Sequence, residues 1–107
     1  MAELPEADQR RLYEESGVLA QYERAIHDKI LRAWDPPPNA SSDFECVINV
    51  RQIPSGEVVD VNFGRCNGDE AVRGSIKAAV LRASPLPRPP SPSLFSRNLE
   101  LTLRIEQ

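Results

Sequence analysis

Apolar positions recur along the chain with two different periods, and the switches between those periods mark out its elements. From Leu4 to Ser16 there is almost no apolar stripe: Leu12 and Tyr13 stand among Glu, Gln and Arg, with Pro5 suited to a first helical turn. A helix this polar buries little, so the pattern predicts a solvated helical segment. From Val18 to Trp34 the pattern changes. Leu19, Tyr22, Ile26, Ile30 and Ala33 return at three- and four-residue steps, Trp34 extends the stripe, and Glu23, Arg24, Asp28 and Arg32 fall elsewhere. This is an amphipathic helix. The residue before a proline is turned away from the helical region, so Pro36, Pro37 and Pro38 end it. Gly17 between the two stretches either kinks the helix or weakens it.

The period then falls to two. Phe44, Cys46, Ile48 and Val50 alternate with Glu45, Val47, Asn49 and Arg51, as in a strand with one buried face. Pro54-Ser55-Gly56 supplies a turn, and Val59, Val61 and Phe63 are expected on the inward face of the returning strand, with Asp60 and Asn62 outward. Asn67-Gly68-Asp69 reads as a turn leading to a helix N-cap, with Glu70 in the first turn. The helix runs to about Ala83 with Val72, Ile76, Ala79, Val80 and Ala83 as a narrow stripe of small residues, and Pro85 stops it. The segment Pro85–Pro90 is too rich in proline for helix or central strand and should be extended. Leu94 and Phe95 tack a short turn onto the core. Leu99, Leu101, Leu103 and Ile105 alternate with Glu100, Thr102 and Arg104 in the cleanest strand pattern of the chain.

The predicted order is helix, strand, strand, helix, strand. A helix following the hairpin carries the chain back along the sheet, so the last strand runs antiparallel to the first. The expected fold is α+β: a three-stranded antiparallel sheet of order 2-1-3 with the two main helices on one face. Strands two and three are then both edges. Residues 1–17 are expected to form the end of a helical stalk and 18–107 the folded domain.

Composition narrows the function. A formal net charge of -3 does not favour nucleic acid, which calls for a basic face. The 107 residues make one domain at most, and no apolar run approaches the length of a membrane span. His27, the single histidine, falls on the polar flank of the long helix without partners for a metal site. No serine sits in a nucleophile motif, Gly64 and Gly68 make no phosphate loop, and helix capping accounts for the Asp69-Glu70 pair. No cofactor is implied. The Pro85–Pro92 run matches an SH3-type ligand in composition, but its place between two core elements favours a structural connector. What remains is a binding domain.

The two cysteines admit two readings, a pair of unrelated thiols or a bridge. If Ile53 pairs with Glu57 across the turn, Cys46 falls opposite Gly64 and Cys66 is its diagonal neighbour. A bulge at Gly64 would then bring the sulfurs within bonding range.

Several of these features together are familiar. Tyr22-x-x-x-Ile26-x-x-x-Ile30-x-x-x-Trp34-x-Pro36, Cys46-Val-Ile-Asn-Val50, Pro54-Ser-Gly56-Glu-Val58, Cys66-Asn-Gly-Asp69, Ser75-Ile76-x-x-Ala79-Val80 and Ala83-Ser-Pro-Leu-Pro87, ending near Phe95, occur in this order. From about Gln21 to Ile105 the chain resembles the TonB/TolA C-terminal domain family, in its TolA branch. That resemblance implies helices on a three-stranded antiparallel sheet, and a periplasmic domain of an inner-membrane protein whose anchor and longer stalk lie outside this sequence. It implies TolB and Pal as partners in supporting envelope integrity and cell division, TolQ and TolR as partners of the anchor, and parasitic use by colicins and by filamentous phage minor coat proteins. An oxidising periplasm favours a Cys46–Cys66 disulfide. The resemblance also favours partner binding at the edge formed by Leu99, Glu100, Leu101, Thr102, Leu103, Arg104 and Ile105, against the plainer reading that Glu100 and Arg104 merely keep that edge soluble. Two alternatives stay open: a TonB C-terminal domain contacting outer-membrane receptors, whose proline-rich stalk the charged flank here does not match, and a small secreted enzyme inhibitor.

Overall fold

In the computed structural model, residues 5–38, 40 and 43–104 are described. Leu4 and Ile105, which the pattern placed in the first helix and the last strand, lie outside them. The elements are α1 (Glu6–Ser16), α2 (Val18–Ala33), β1 (Glu45–Gln52), β2 (Val58–Cys66), α3 (Glu70–Ala83), a 3-10 turn (Pro92–Leu94) and β3 (Asn98–Arg104). The sheet has the order β2-β1-β3, with both pairings antiparallel. The even-numbered side chains of β1 and the odd-numbered ones of β3 face the helices. Cys46, Ile48, Val50 and Leu103 are buried there against Ile26 and Ile30 of α2 and Ile76 and Val80 of α3. Helix α3 lies over β2 and α2 over β3.

Local chemistry sets the boundaries. Gly17, at φ 81°, closes α1 and opens α2, so the junction is a true break and not only a weak point. The side chain of Asp69 accepts from Val72 N at 3.0 Å and caps α3. Trp34 Nε1 donates to Ser75 Oγ at 2.9 Å, and Ser75 Oγ donates to Val72 O at 2.7 Å, which ties the end of α2 to the start of α3. The proline-rich connector is ordered by packing: Leu86 and Leu94 are buried, and Leu86 N donates to Gly56 O at 2.8 Å. The polar helix α1 does more than project into solvent. Tyr13 packs against the core and Arg10 donates to Ser93 O at 3.4 Å, while Leu12 stays exposed.

The hairpin departs from a simple register in two places. Ile53 N donates to Glu57 O at 3.0 Å, which closes the turn as the pattern requires. The register then shifts between Arg51 and Gln52, and again between Cys46 and Ile48. The first shift turns Val58 inward and leaves Val59 half exposed, so the inward residues of β2 are Val58, Val61 and a half-buried Phe63, with Val59 outside. The strict alternation that put Val59 inside cannot survive an extra residue in the ladder. The two shifts together bring Cys46 directly opposite Cys66, and the pair forms a disulfide.

Candidate functional site: the free edge of β3

Strand β3 pairs with β1 on one side only. The register runs from Glu45 opposite Arg104 to Arg51 opposite Asn98. In the same register, Gln52 N donates to Arg97 O at 2.9 Å. Hydrogen-bonded and non-bonded pairs alternate along an antiparallel ladder. Leu99, Leu101 and Leu103 therefore spend their backbone groups on β1, and Asn98, Glu100, Thr102 and Arg104 turn theirs to the free edge. The side chains sort the same way: Leu99, Leu101 and Leu103 face the helices, and Glu100, Thr102 and Arg104 are exposed.

The two edges of the sheet are not equivalent. On β2, Val61 stands opposite the even-numbered Val50 and turns its N–H outward, where Asp60 Oδ1 accepts it at 3.0 Å. Val58 N is taken by Ser84 Oγ at 3.0 Å. On β3 the Asn98 carbonyl accepts from Ser96 Oγ at 2.8 Å. The outward N–H and C=O groups of Glu100 and Thr102 meet no partner among the described residues. An uncovered row of this kind is a template for a further strand.

Beside that row, the seam between α2 and β3 opens. Leu103 is fully buried, whereas Leu99 and Leu101 are only half-buried. They form one wall of a cleft of about 170 Å³, with Leu19, Tyr22, Glu23 and Ile26 of α2 opposite and Arg10, Leu94 and Ser96 closing one end. Tyr22 is 6% exposed, and its hydroxyl has no hydrogen-bond partner among the described residues. Arg10 is engaged by Glu14 at 3.6 Å and by Ser93 O, while Glu23 forms no ion pair among the described residues. Arg104 pairs with Glu45 at 3.1 Å on the outer face of the sheet.

Of the residues singled out in sequence, Leu99 to Arg104 lie together on this edge, and Cys46 and Cys66 are bridged across the β1–β2 hairpin. The helical residues of the cleft were legible only as core. The apolar stripe of α2 carries Tyr22 and Ile26, and nothing in its period says that the helix stops short of covering β3. Gln52 was also missed. It is a buried polar residue whose Nε2 donates to Ser96 O at 2.8 Å, which fixes the chain where it enters β3. Among the described residues no cluster of side chains could hold a metal ion, and no helix is long and apolar enough to cross a membrane.

No curated protein matches the chain. Among solved structures, the solution NMR structure of TolAIII bound to a peptide derived from the N-terminus of TolB has a similar fold. It aligns with a TM-score of 0.70 and 20% identity, over 79% of this chain and 73% of that one. At that identity the likeness speaks for the fold. The sequence profile of the TonB C-terminal family matches residues 19–103, from the first apolar residues of α2 nearly to the end of β3. The chain belongs to the TonB C-terminal family.

Proposed function

We propose that this domain binds other proteins by accepting a partner strand on the free edge of β3, Leu99 to Arg104. The observation that carries the reading is a difference between the edges: side chains occupy the outward N–H groups of Val58 and Val61 on β2, leaving only that of Phe63 open there, whereas among the described residues nothing occupies those of Glu100 and Thr102 beside the cleft on β3. Backbone bonds to the added strand would give affinity, and side chains alternating toward the cleft would give selectivity. The fold shared with TolAIII, in a structure where that protein holds a TolB peptide, supports the N-terminal segment of a TolB as partner. On this reading the domain is the periplasmic end of a TolA-like protein anchored in the inner membrane. TolQ and TolR act on its anchor, TolB and Pal are met at the outer membrane, and the outcome is envelope integrity during growth and division. Colicins and filamentous phage minor coat proteins are candidate parasites of the same domain. A second reading follows from the family match itself: a TonB-like domain would meet outer-membrane receptors. The charged helix α1 in front of the domain favours the first.

The test is Thr102→Pro. The Thr102 N–H is not used by the sheet, so the substitution removes an outward donor without breaking a ladder bond. Its ring also blocks an approaching strand. Binding of a synthetic peptide spanning the mature N-terminus of the same organism's TolB is expected to fall at least about tenfold, one lost bond plus the steric block, with a native-like circular dichroism spectrum. Val59→Lys on the other edge should leave binding unchanged. Intact binding by folded Thr102→Pro moves the site away from β3, and capture of a TonB-dependent receptor in place of TolB supports the second reading.

A further inference from the structure

The cleft between α2 and β3 holds the ingredients of a specificity pocket. A strand added to β3 lies about 4.8 Å further out, with its inward side chains level with those of β3. The side chains next to Leu99 and Leu101 then enter the cleft, under Leu19, Tyr22, Glu23 and Ile26. Directly opposed residues on neighbouring strands bring their Cβ atoms to about 4.5–5.5 Å, so such a side chain is in contact with the cleft walls. A volume of about 170 Å³ is room for one side chain and not for two large ones.

The lining then says what kind. Leu19, Ile26, Leu99 and Leu101 suit an aliphatic stem. Tyr22 brings a hydroxyl that is buried and unpaired in the free domain. Such a group is costly unless something satisfies it, because it has left water without gaining a partner. The charge available beside it is negative: Glu23 has no ion-pair partner among the described residues, whereas Arg10 is held by Glu14 and by Ser93 O. We infer that this cleft is the pocket for one inward side chain of the added strand, with an apolar stem and a cationic nitrogen donor at its tip (lysine or arginine). Glu23 selects for positive charge, and the Tyr22 hydroxyl, enclosed in the free domain, accepts from that tip once the entering side chain parts the cleft walls. The occupant belongs to the partner strand on β3, so the inference rests on the strand-addition reading above.

Tyr22→Phe tests it with two readouts that move in opposite directions. The hydroxyl makes no bond to the described residues of the free domain, so its removal should leave the urea midpoint unchanged or raise it. The dissociation constant of the TolB N-terminal peptide should rise about three- to tenfold, the range for one hydrogen bond. An alanine scan of the peptide against both proteins then locates the contact. At one position carrying a nitrogen-bearing side chain, alanine should weaken binding to the wild type and make little further difference to Tyr22→Phe. Unchanged affinity, or a loss coupled to no peptide position, overturns the inference while strand addition stands. A lowered urea midpoint overturns it as well, since the hydroxyl would then have a partner within the domain. No binding by the wild-type domain removes the strand-addition reading, and the pocket's occupant with it.

Discussion

Gly56 and Gly17 share a backbone conformation but not an environment, and the pair isolates a contact on which the hairpin turn depends. Gly56 sits at φ 91° and Gly17 at φ 81°, both in the region where a side chain is strained. A Cβ on Gly17 would meet nothing within 4 Å, whereas one on Gly56 would collide with the carbonyl oxygen of Leu86. Gly17→Ala therefore carries backbone strain alone, about 1–2 kcal/mol. Fusion of α1 and α2 into one helix would relieve part of that. Gly56→Ala carries the same strain and must also push the Leu86 backbone away. That movement lengthens the 2.8 Å bond from Leu86 N to Gly56 O, worth about 0.5–1.5 kcal/mol. It also disturbs a leucine that is 2% exposed, where full burial is worth about 1.5–3 kcal/mol and partial loss a fraction of it. The expected cost of Gly56→Ala is about 2–4 kcal/mol, clearly above that of Gly17→Ala. Urea unfolding of both variants with the disulfide intact, followed by far-UV circular dichroism, measures the difference. Equal midpoints would mean that the connector does not lean on the turn, and the account of why the proline-rich segment is ordered would fail.

Two further outcomes follow from the core. The Cys46–Cys66 bridge closes a separation of 20 residues, so reducing it or replacing both cysteines by alanine should lower stability by roughly 3 kcal/mol on the chain-entropy account; alkylation under denaturing, non-reducing conditions should label neither cysteine in mass spectra, and two labelled thiols would refute the bridge. Ile26→Ala or Ile48→Ala, both fully buried, should cost about 2–5 kcal/mol in urea unfolding, whereas the exposed Arg24→Ala and Glu57→Ala should stay within about 0.5 kcal/mol of wild type.

The architecture was legible because period and punctuation agreed at each step. The stripes of α2 and α3, the Asp69 cap, the Pro54–Gly56 turn and the alternation of Leu99, Leu101 and Leu103 each pointed to the element that formed. What escaped were features that depend on two segments at once. The position of Val59 turned on a register shift between Arg51 and Gln52, and no single-strand pattern encodes the pairing of two strands. The disulfide was within reach because a bulge near Gly64 was expected, yet the ladder needed two shifts to set Cys46 opposite Cys66. The docking of α1 was missed for the same reason. Arg10 is a surface residue in the pattern of its own helix, and only the Pro92–Leu94 turn, far along the chain, gives it a carbonyl to meet.

The candidate site divides along the same line. That Leu99–Arg104 would be an edge followed from topology alone, since a 2-1-3 sheet has two edges and β3 is one of them. Which edge is open did not follow, because the answer lies in hydrogen bonds from other elements. Ser84 comes from the end of α3 and reaches Val58 N; Asp60 sits beside Val61 and folds back onto its N–H. Both occupy outward N–H groups of β2 with side chains from its own flank, and leave that of Phe63 uncovered. The flank of β3 is Ser96 and Asn98, and their single bond satisfies a carbonyl at the start of the strand without reaching Glu100 or Thr102. The same arrangement explains the cleft. Gln52 and the Pro92–Leu94 turn fix where the chain enters β3, and Leu103 anchors the far end in the core. Between those two fixed points α2 leaves Leu99 and Leu101 partly uncovered beside the two residues with free backbone groups. An exposed strand edge alone would be an aggregation hazard, open to any extended chain. On the proposed reading, the pocket beside it, lined by Tyr22 and Glu23, would make the edge selective, because only a strand whose side chain fits could use both.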